Sequence, residues 1–271
     1  MIRRAAEILD ILAERDTVDL RVMIVVAHPD DETIGMGAQL CKFRDALLLH
    51  VTDGAPRDGH DAVTHGFASI ADYAFARRVE LCAALEAGSA RGVRTEIVGI
   101  PDKEACLNFV PLTEHILRRL REEASVAIFV QPYEGGHPDH DAVAFAVSAA
   151  GRLIASEGRS PPAIIEMTAY HADGPRLATG RFLPAECPII TVELASADRL
   201  RKRRMIDCFT SQHDLLAGFT TGVERFREAP DYNFLQPPHL GELHYERLGW
   251  GITGEIWRRH ARAALEALGL R

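Results

Sequence analysis

Arg21-Val22-Met23-Ile24-Val25-Val26-Ala27-His28-Pro29-Asp30-Asp31-Glu32 passes directly from a hydrophobic run into one imidazole and three carboxylates. The apolar part reads as a strand. In open α/β sheets the carboxyl ends of the strands open onto the ligand crevice, so charged side chains emerging there face a cavity rather than bulk solvent. A second apolar run, Val126-Ala127-Ile128-Phe129-Val130, leads likewise toward His137-Pro138-Asp139-His140-Asp141. Two strand ends therefore supply His and Asp to what reads as one site.

Outward from these motifs, strand-like runs at 22–27, 47–52, 94–99 and 126–131 alternate with Ala-rich helical segments near 33–44, 68–88 and 111–123. That alternation predicts a parallel sheet with helices on both faces. A helix from 138 to about 156 has Pro138 in its first turn, where a missing N–H costs nothing. Strands at 163–169 and 189–194, a helix over 197–209 and a closing helix over 254–268 complete the pattern, and residues 4–15 read as an amphipathic helix. From about 210 to 253 the chain is rich in Phe, Tyr, Pro, His and Gly with little regular period. Loops this long are usually functional or disordered, and the aromatics argue against disorder. The expectation is one α/β domain over 1–271, a Rossmann-like, mostly parallel sheet flanked by helices with a C-terminal irregular extension. Residues 210–253 would then be an ordered lid or oligomer contact, in which Arg225, Arg227, Tyr232 and His239 are candidate lid contacts, with a packing or surface role the stronger reading for each singly.

With 271 residues, 47% of them hydrophobic, the chain can bury a substantial core. A formal net charge of −8 disfavours a general nucleic-acid binder, and the basic strip from Arg199 to Arg204 reads as the solvated side of a helix. The five cysteines are widely spaced with no CxxC pair, which suggests neither a zinc ribbon nor a disulfide framework. Reduced thiols and the lack of a signal-peptide core predict a cytoplasmic protein. No stretch approaches the ~18 apolar residues of a membrane span.

Imidazole nitrogen and carboxylate oxygen are zinc donors, and catalytic zinc typically keeps three protein ligands with a fourth position for water. His28, Asp31 and His140 supply such a set. Asp30, on the same tight turn but pointing elsewhere than Asp31, is the candidate general base. Glu32 and Thr33 read as helix N-terminal residues that cap free amides. A site of two histidines and one carboxylate also accepts Fe2+.

Ala27 to Glu32 and His137 to His140, in this order, resemble the two motifs of the PIG-L/LmbE-like family of zinc-dependent N-deacetylases. The resemblance extends over about residues 20–215, including Thr52-Asp53-Gly54, Arg77, Glu80, Lys202 and Ser211-Gln212. It implies that His28, Asp31 and His140 bind zinc and that Asp30 is the general base. It further implies that His137 stabilises the oxyanion or protonates the leaving amine, with Asp139 holding and charging His137. By the same resemblance Arg77 contacts polar substrate and Asp102 accepts sugar hydroxyls. Where some relatives place a tyrosine two residues before the first His of the second motif, this chain has Gly135, and Tyr133 is close by. The expected activity is hydrolysis of an N-acetyl group from an amino sugar or glycoconjugate, with a homo-oligomer compatible. Two alternatives stand beside it: an amidase acting on a non-sugar amide, and a non-catalytic Rossmann-like module binding a sugar or nucleotide. The second is disfavoured because no GxGxxG follows the first strand.

Overall fold

The computed structural model describes residues 5–270. Arg4, at the edge of the expected first helix, lies outside them. In chain order the elements are α1 (Ala5–Glu14), β1 (Val18–Val26), α2 (Asp31–Met36), β2 (Phe43–Pro56), α3 (His60–Thr64), α4 (Ile70–Ala87), β3 (Val93–Asp102), α5 (Phe109–Glu123), β4 (Ala127–Val130) and α6 (Pro138–Ser156). There follow β5 (Ala163–Met167), β6 (Tyr170–Asp173), β7 (Arg176–Thr179), β8 (Ile189–Glu193), α7 (Ser196–Asp207), α8 (His213–Leu216), β9 (Val223–Glu228), α9 (His244–Arg247) and α10 (Gly254–Ala267).

Seven strands form one sheet in the order β3-β2-β1-β4-β5-β9-β8. The first five are parallel, while β9 runs antiparallel to both β5 and β8. Strands β6 and β7 make a separate antiparallel pair. The central strands are hydrophobic on both faces because helices cover both. Val22, Ile24 and Val26 enter the core beneath α1 and α7, whereas Met23, Val25 and Ala27 enter the one beneath α5, α6 and α10. The strand order reverses between β1 and β4, and ligand crevices of open α/β sheets lie at such a switch. Both motifs leave the sheet there.

Two expectations about elements are corrected. The helix expected over 33–44 ends at Met36 and is followed by a single 3-10 turn over Leu40–Lys42. Gly35 and Gly37 weaken helix propagation, and the chain must turn back to start β2 at Phe43. The segment 210–253 is not irregular throughout: residues 223–228 form a strand inserted between β5 and β8. Its sequence, Val-Glu-Arg-Phe-Arg-Glu, hides this because its inward charges are neutralised by partners distant in sequence. Glu224 receives Lys202 Nζ at 2.7 Å, and Arg227 Nε donates to Glu166 Oε2 at 2.7 Å. Arg225 and Arg227 are therefore sheet residues rather than lid contacts, and the Tyr232 hydroxyl donates to Glu166. His239 Nδ1 lies 3.1 Å from the Leu240 carbonyl, away from the motif cavity.

Candidate active site

The turn after β1 holds Asp30 at φ 127°, ψ −27°, a backbone conformation L side chains rarely adopt and one that costs of order 1–3 kcal/mol. It separates two adjacent carboxylates. Asp31 opens α2 and accepts the His28 backbone N–H at 2.7 Å, whereas Asp30 turns toward α4. There the buried Arg77 guanidinium donates from Nη2 to the Pro29 carbonyl (2.6 Å) and to Asp30 Oδ2 (3.0 Å). Glu32 does not cap forward along α2. It reaches back to accept the Asp30 N–H at 3.1 Å, and His50 Nε2 lies 3.0 Å from the same oxygen.

The loop after β4 is shaped by Asp141, whose Oδ1 accepts the backbone N–H groups of Glu134 and Gly135, each at 3.0 Å. Gly136 passes so close to Tyr170 that an added Cβ would stand 1.9 Å from the Tyr170 carbonyl oxygen. His137 then caps α6, its Nδ1 accepting the Asp139 backbone N–H at 3.2 Å. This fixes the neutral tautomer with the proton on Nε2, the nitrogen lying 3.6 Å from Asp102 Oδ1.

The two motifs meet across the switch point. Asp31 bridges the histidines: Oδ2 lies 3.2 Å from His28 Nδ1 and Oδ1 lies 3.2 Å from His140 Nε2. Donor atoms of His28, His137 and His140 fall within 4.8 Å of one another, as do those of His28, Asp102, His137 and Asp139. Zinc–ligand bonds of 2.0–2.2 Å place tetrahedral donors about 3.3 Å apart, which is the spacing between Asp31 and its two histidines. Both ring nitrogens of His140 are buried without a hydrogen-bond partner among the described residues. On the far side of His28, Nε2 lies 3.0 Å from Asp102 Oδ1. A carboxylate on the outer nitrogen is the usual support of a metal-binding imidazole. The donors gathered here, His28, His137 and His140 with the Asp31 carboxylate lying between His28 and His140, fit a divalent ion.

The contacts of three residues bear on their expected roles. The Asp139 carboxylate does not hold His137: it lies 4.0 Å from His137 Nδ1 and instead accepts the backbone N–H groups of Lys103 (2.7 Å) and Ala105 (2.9 Å). It lies nearer to His28 Nε2, at 3.4 Å. Because a backbone N–H faces His137 Nδ1, that imidazole is not charged by a carboxylate. Asp102 Oδ1 faces His28 and His137 and supports the histidine pair, while the residue also lines the cavity. Arg77, likewise, spends its hydrogen bonds on the first motif's turn, although it also lines the cavity.

Burial opposes charge throughout, and the neighbours decide which groups keep it. Burial would lower His28, but Asp102, Asp139 and Asp31 outweigh it and raise the imidazole well above its usual value. Asp31 is held well below the carboxylate range by His140 and His28 despite its burial. Burial pushes Asp30 well above that range against the pull of Arg77. Burial, together with the nearby His28, drives His137 well below the ordinary histidine value. A neutral His137 and the Asp30 carboxylate of raised proton affinity line the same cavity, the one able to donate a hydrogen bond and the other to take up a proton.

These groups line a cavity of about 260 Å³ whose other walls include Lys103, Tyr170, Phe219, Leu248 and Trp250. Tyr170, missed from the sequence, brings a phenol whose ring centroid lies 5.1 Å from that of His140. Its signal was available, since it follows the next parallel strand just as the motifs follow β1 and β4. Tyr133 lies elsewhere, donating to the Gln236 carbonyl and stacking on Trp257. Trp250 sits beside His137, with ring centroids 4.9 Å apart, and carries the Lys103 ammonium 4.7 Å above its ring. Ser211 is tied down by Glu80, which accepts both its N–H and its hydroxyl. A larger cleft of about 820 Å³ along α6 and residues 228–235 contains none of the motif residues.

Comparison with solved structures shows the same fold in a zinc-inhibited form of teicoplanin deacetylase (17% identity, TM-score 0.56, 78% of this chain and all of that one). The deacetylase of the A40926 pseudoaglycone also matches (17% identity, TM-score 0.59, 80% of this chain and 99% of that one). So does GalB, the 4-carboxy-2-hydroxymuconate hydratase of Pseudomonas putida (13% identity, TM-score 0.54, 79% of this chain and 98% of that one). Deacetylases and a hydratase on one fold mean that this likeness speaks to architecture alone. No curated protein matches the chain. Residues 23–151, however, match the family model PIG-L: GlcNAc-PI de-N-acetylase. That segment runs from within β1 into α6 and contains both motifs, so the part of the chain that carries the candidate site is similar to the PIG-L family.

Proposed function

We propose that this protein is a zinc-dependent hydrolase that removes an N-acetyl group from an amino sugar or glycoconjugate. The observation that carries the reading is the meeting of His28, Asp31 and His140 at the sheet's switch point, at ligand-to-ligand spacing and with the His140 nitrogens otherwise unpartnered. A divalent ion held there supplies a Lewis acid that brings the pKa of water to roughly 7 and polarises the acyl carbonyl; the donor set suits zinc and also accepts Fe2+.

The protein's own groups do the rest. Asp30, held by Arg77, accepts the proton of the attacking water. The carbonyl oxygen, as it gains charge, meets the Nε2–H of His137, fixed in that tautomer by the Asp139 backbone N–H. Such preorganised donors supply a large share of transition-state stabilisation. The proton taken by Asp30 passes to the leaving nitrogen, while the neutral His137 keeps its Nε2–H on the oxygen. Acetate and a free amine leave.

The test is amine release from a panel of N-acetyl amino sugars and their conjugates by zinc-loaded native protein and zinc-loaded Asp30→Ala. Turnover should fall by about 10²–10⁴-fold in the variant with zinc content unchanged. Comparable turnover in both proteins removes the base assignment, and silence of the zinc-loaded native protein across the panel removes the substrate class.

A further inference from the structure

Asp30 keeps a backbone conformation at φ 127° that an L residue abandons unless its surroundings hold it. Arg77 grips its carboxylate and the carbonyl before it, yet neither contact fixes the Asp30 N–H. That group is held by Glu32 Oε2, two residues on. Glu32 is itself fixed twice, by the Thr33 hydroxyl donating to Oε1 at 2.6 Å and by His50 Nε2 at 3.0 Å from Oε2. His50 belongs to β2, opposite Val26 in the register, so its imidazole ties the turn to the strand beside β1. Glu32 and His50 are completely buried, and no solvent competes for these bonds.

We infer that Glu32 and His50 are positioning residues: a buried Glu–His pair that clamps the Asp30 amide and so aims the Asp30 carboxylate away from Asp31 and into the cavity. The inference rests on the reading of Asp30 as the base. Neither side chain touches the cavity, so both act through Asp30. Releasing the amide allows φ to relax toward the ordinary negative region, which swings the carboxylate off its line. Misplacement of a reacting group by about 1 Å costs on the order of 10²-fold in rate. Glutamine in place of Glu32 keeps an oxygen for the Asp30 N–H and for His50, with its amide turned to the Thr33 hydroxyl. The clamp is thus a matter of hydrogen-bond geometry rather than of charge.

Two readouts on zinc-loaded protein test it: hydrogen exchange at the Asp30 amide, which needs no substrate, and kcat with KM for amine release from the best N-acetyl compound of the panel. In Glu32→Ala the Asp30 amide should lose its protection while Ile24, deep in β1, keeps its own. There kcat should fall on the order of 10²-fold, with KM within about 3-fold and zinc retained. Glu32→Gln should stay within about 3-fold of native in kcat. His50→Leu, which leaves Glu32 in place but cuts its tether, should lose roughly 3–10-fold in kcat at unchanged KM, and it serves if Glu32→Ala fails to fold. Native Asp30 protection in Glu32→Ala, equal damage in Glu32→Gln and Glu32→Ala, or native kcat in His50→Leu overturns the inference. The base assignment fails separately, through an active Asp30→Ala.

Discussion

Alanine at Gly136 places a methyl group between the two backbone segments that carry the histidines of the second motif and the tyrosine beside them. The added Cβ would stand 1.9 Å from the Tyr170 carbonyl oxygen and 3.0 Å from its carbonyl carbon. Real Cβ contacts are essentially never shorter than 3.0 Å, so the segments must part by at least about 1 Å. Both are consequential: Gly136 precedes His137, and the Tyr170 ring packs against His140. Overpacking of this kind costs about 1–3 kcal/mol. At roughly 2–4 °C per kcal/mol for a domain of this size, the melting temperature should fall by about 3–10 °C. A displacement of about 1 Å at the catalytic groups should lower kcat on the order of 10²-fold. Gly151→Ala, within α6, is the control. Its Cβ would meet Ile164 Cδ1 at an ordinary 3.5 Å, and alanine in a helix interior is favoured over glycine by roughly 0.5–1 kcal/mol. Thermal unfolding followed by circular dichroism, alongside amine release, reads both variants. A Gly136→Ala protein that melts within about 1 °C of native and keeps turnover within about 3-fold refutes the close-approach argument.

Lys202→Met should be strongly destabilising. The buried ammonium donates to the Ile34 carbonyl (2.8 Å) and to Glu224 (2.7 Å), and its loss leaves a buried carboxylate without its counter-charge. Breaking such a pair costs about 3–5 kcal/mol, a drop on the order of 10 °C; Lys202→Met/Glu224→Gln should recover part of it. Thiol reactivity should divide by burial. Cys106 is buried, and burial pushes its thiol up to about 12, so its thiolate is nearly absent at pH 8. Exposed Cys82 should alkylate first under native conditions, as mass spectrometry of iodoacetamide-treated protein would show, with equal labelling contradicting the packing. Zinc at about 100 times its dissociation constant should raise stability by roughly 2.7 kcal/mol, reversibly with a chelator. His140→Ala should abolish that gain, and a melting temperature indifferent to zinc in the native protein speaks against the site.

Strand and helix periodicity placed most of the sheet correctly because the central strands are buried on both faces and their apolar runs need no partner to be recognised. Strand β9 was hidden for the opposite reason. Its sequence carries Glu224, Arg225 and Arg227, and a strand whose inward positions are ionic looks solvated until Lys202 and Glu166 are seen to neutralise them. The site was legible as a set of residue types and less so as a set of roles. His28, Asp31 and His140 were named from donor chemistry and the two motifs. That Asp139 serves backbone amides rather than His137, that Asp102 supports His28, and that Arg77 is occupied by Asp30 are matters of reach between segments distant in sequence.

The sequence by itself determined that this is an α/β chain with two His- and Asp-bearing strand exits, because hydrophobic periodicity and donor type are properties of residues and their neighbours along the chain. Only the tertiary structure decided that β1 and β4 are adjacent at the reversal of strand order, that His140 meets Asp31 with no hydrogen bond to either ring nitrogen among the described residues, and that Asp30 is held at a positive φ. Those depend on which segments lie side by side, and adjacency in a parallel sheet is set by crossovers of many residues that leave no local trace in the sequence.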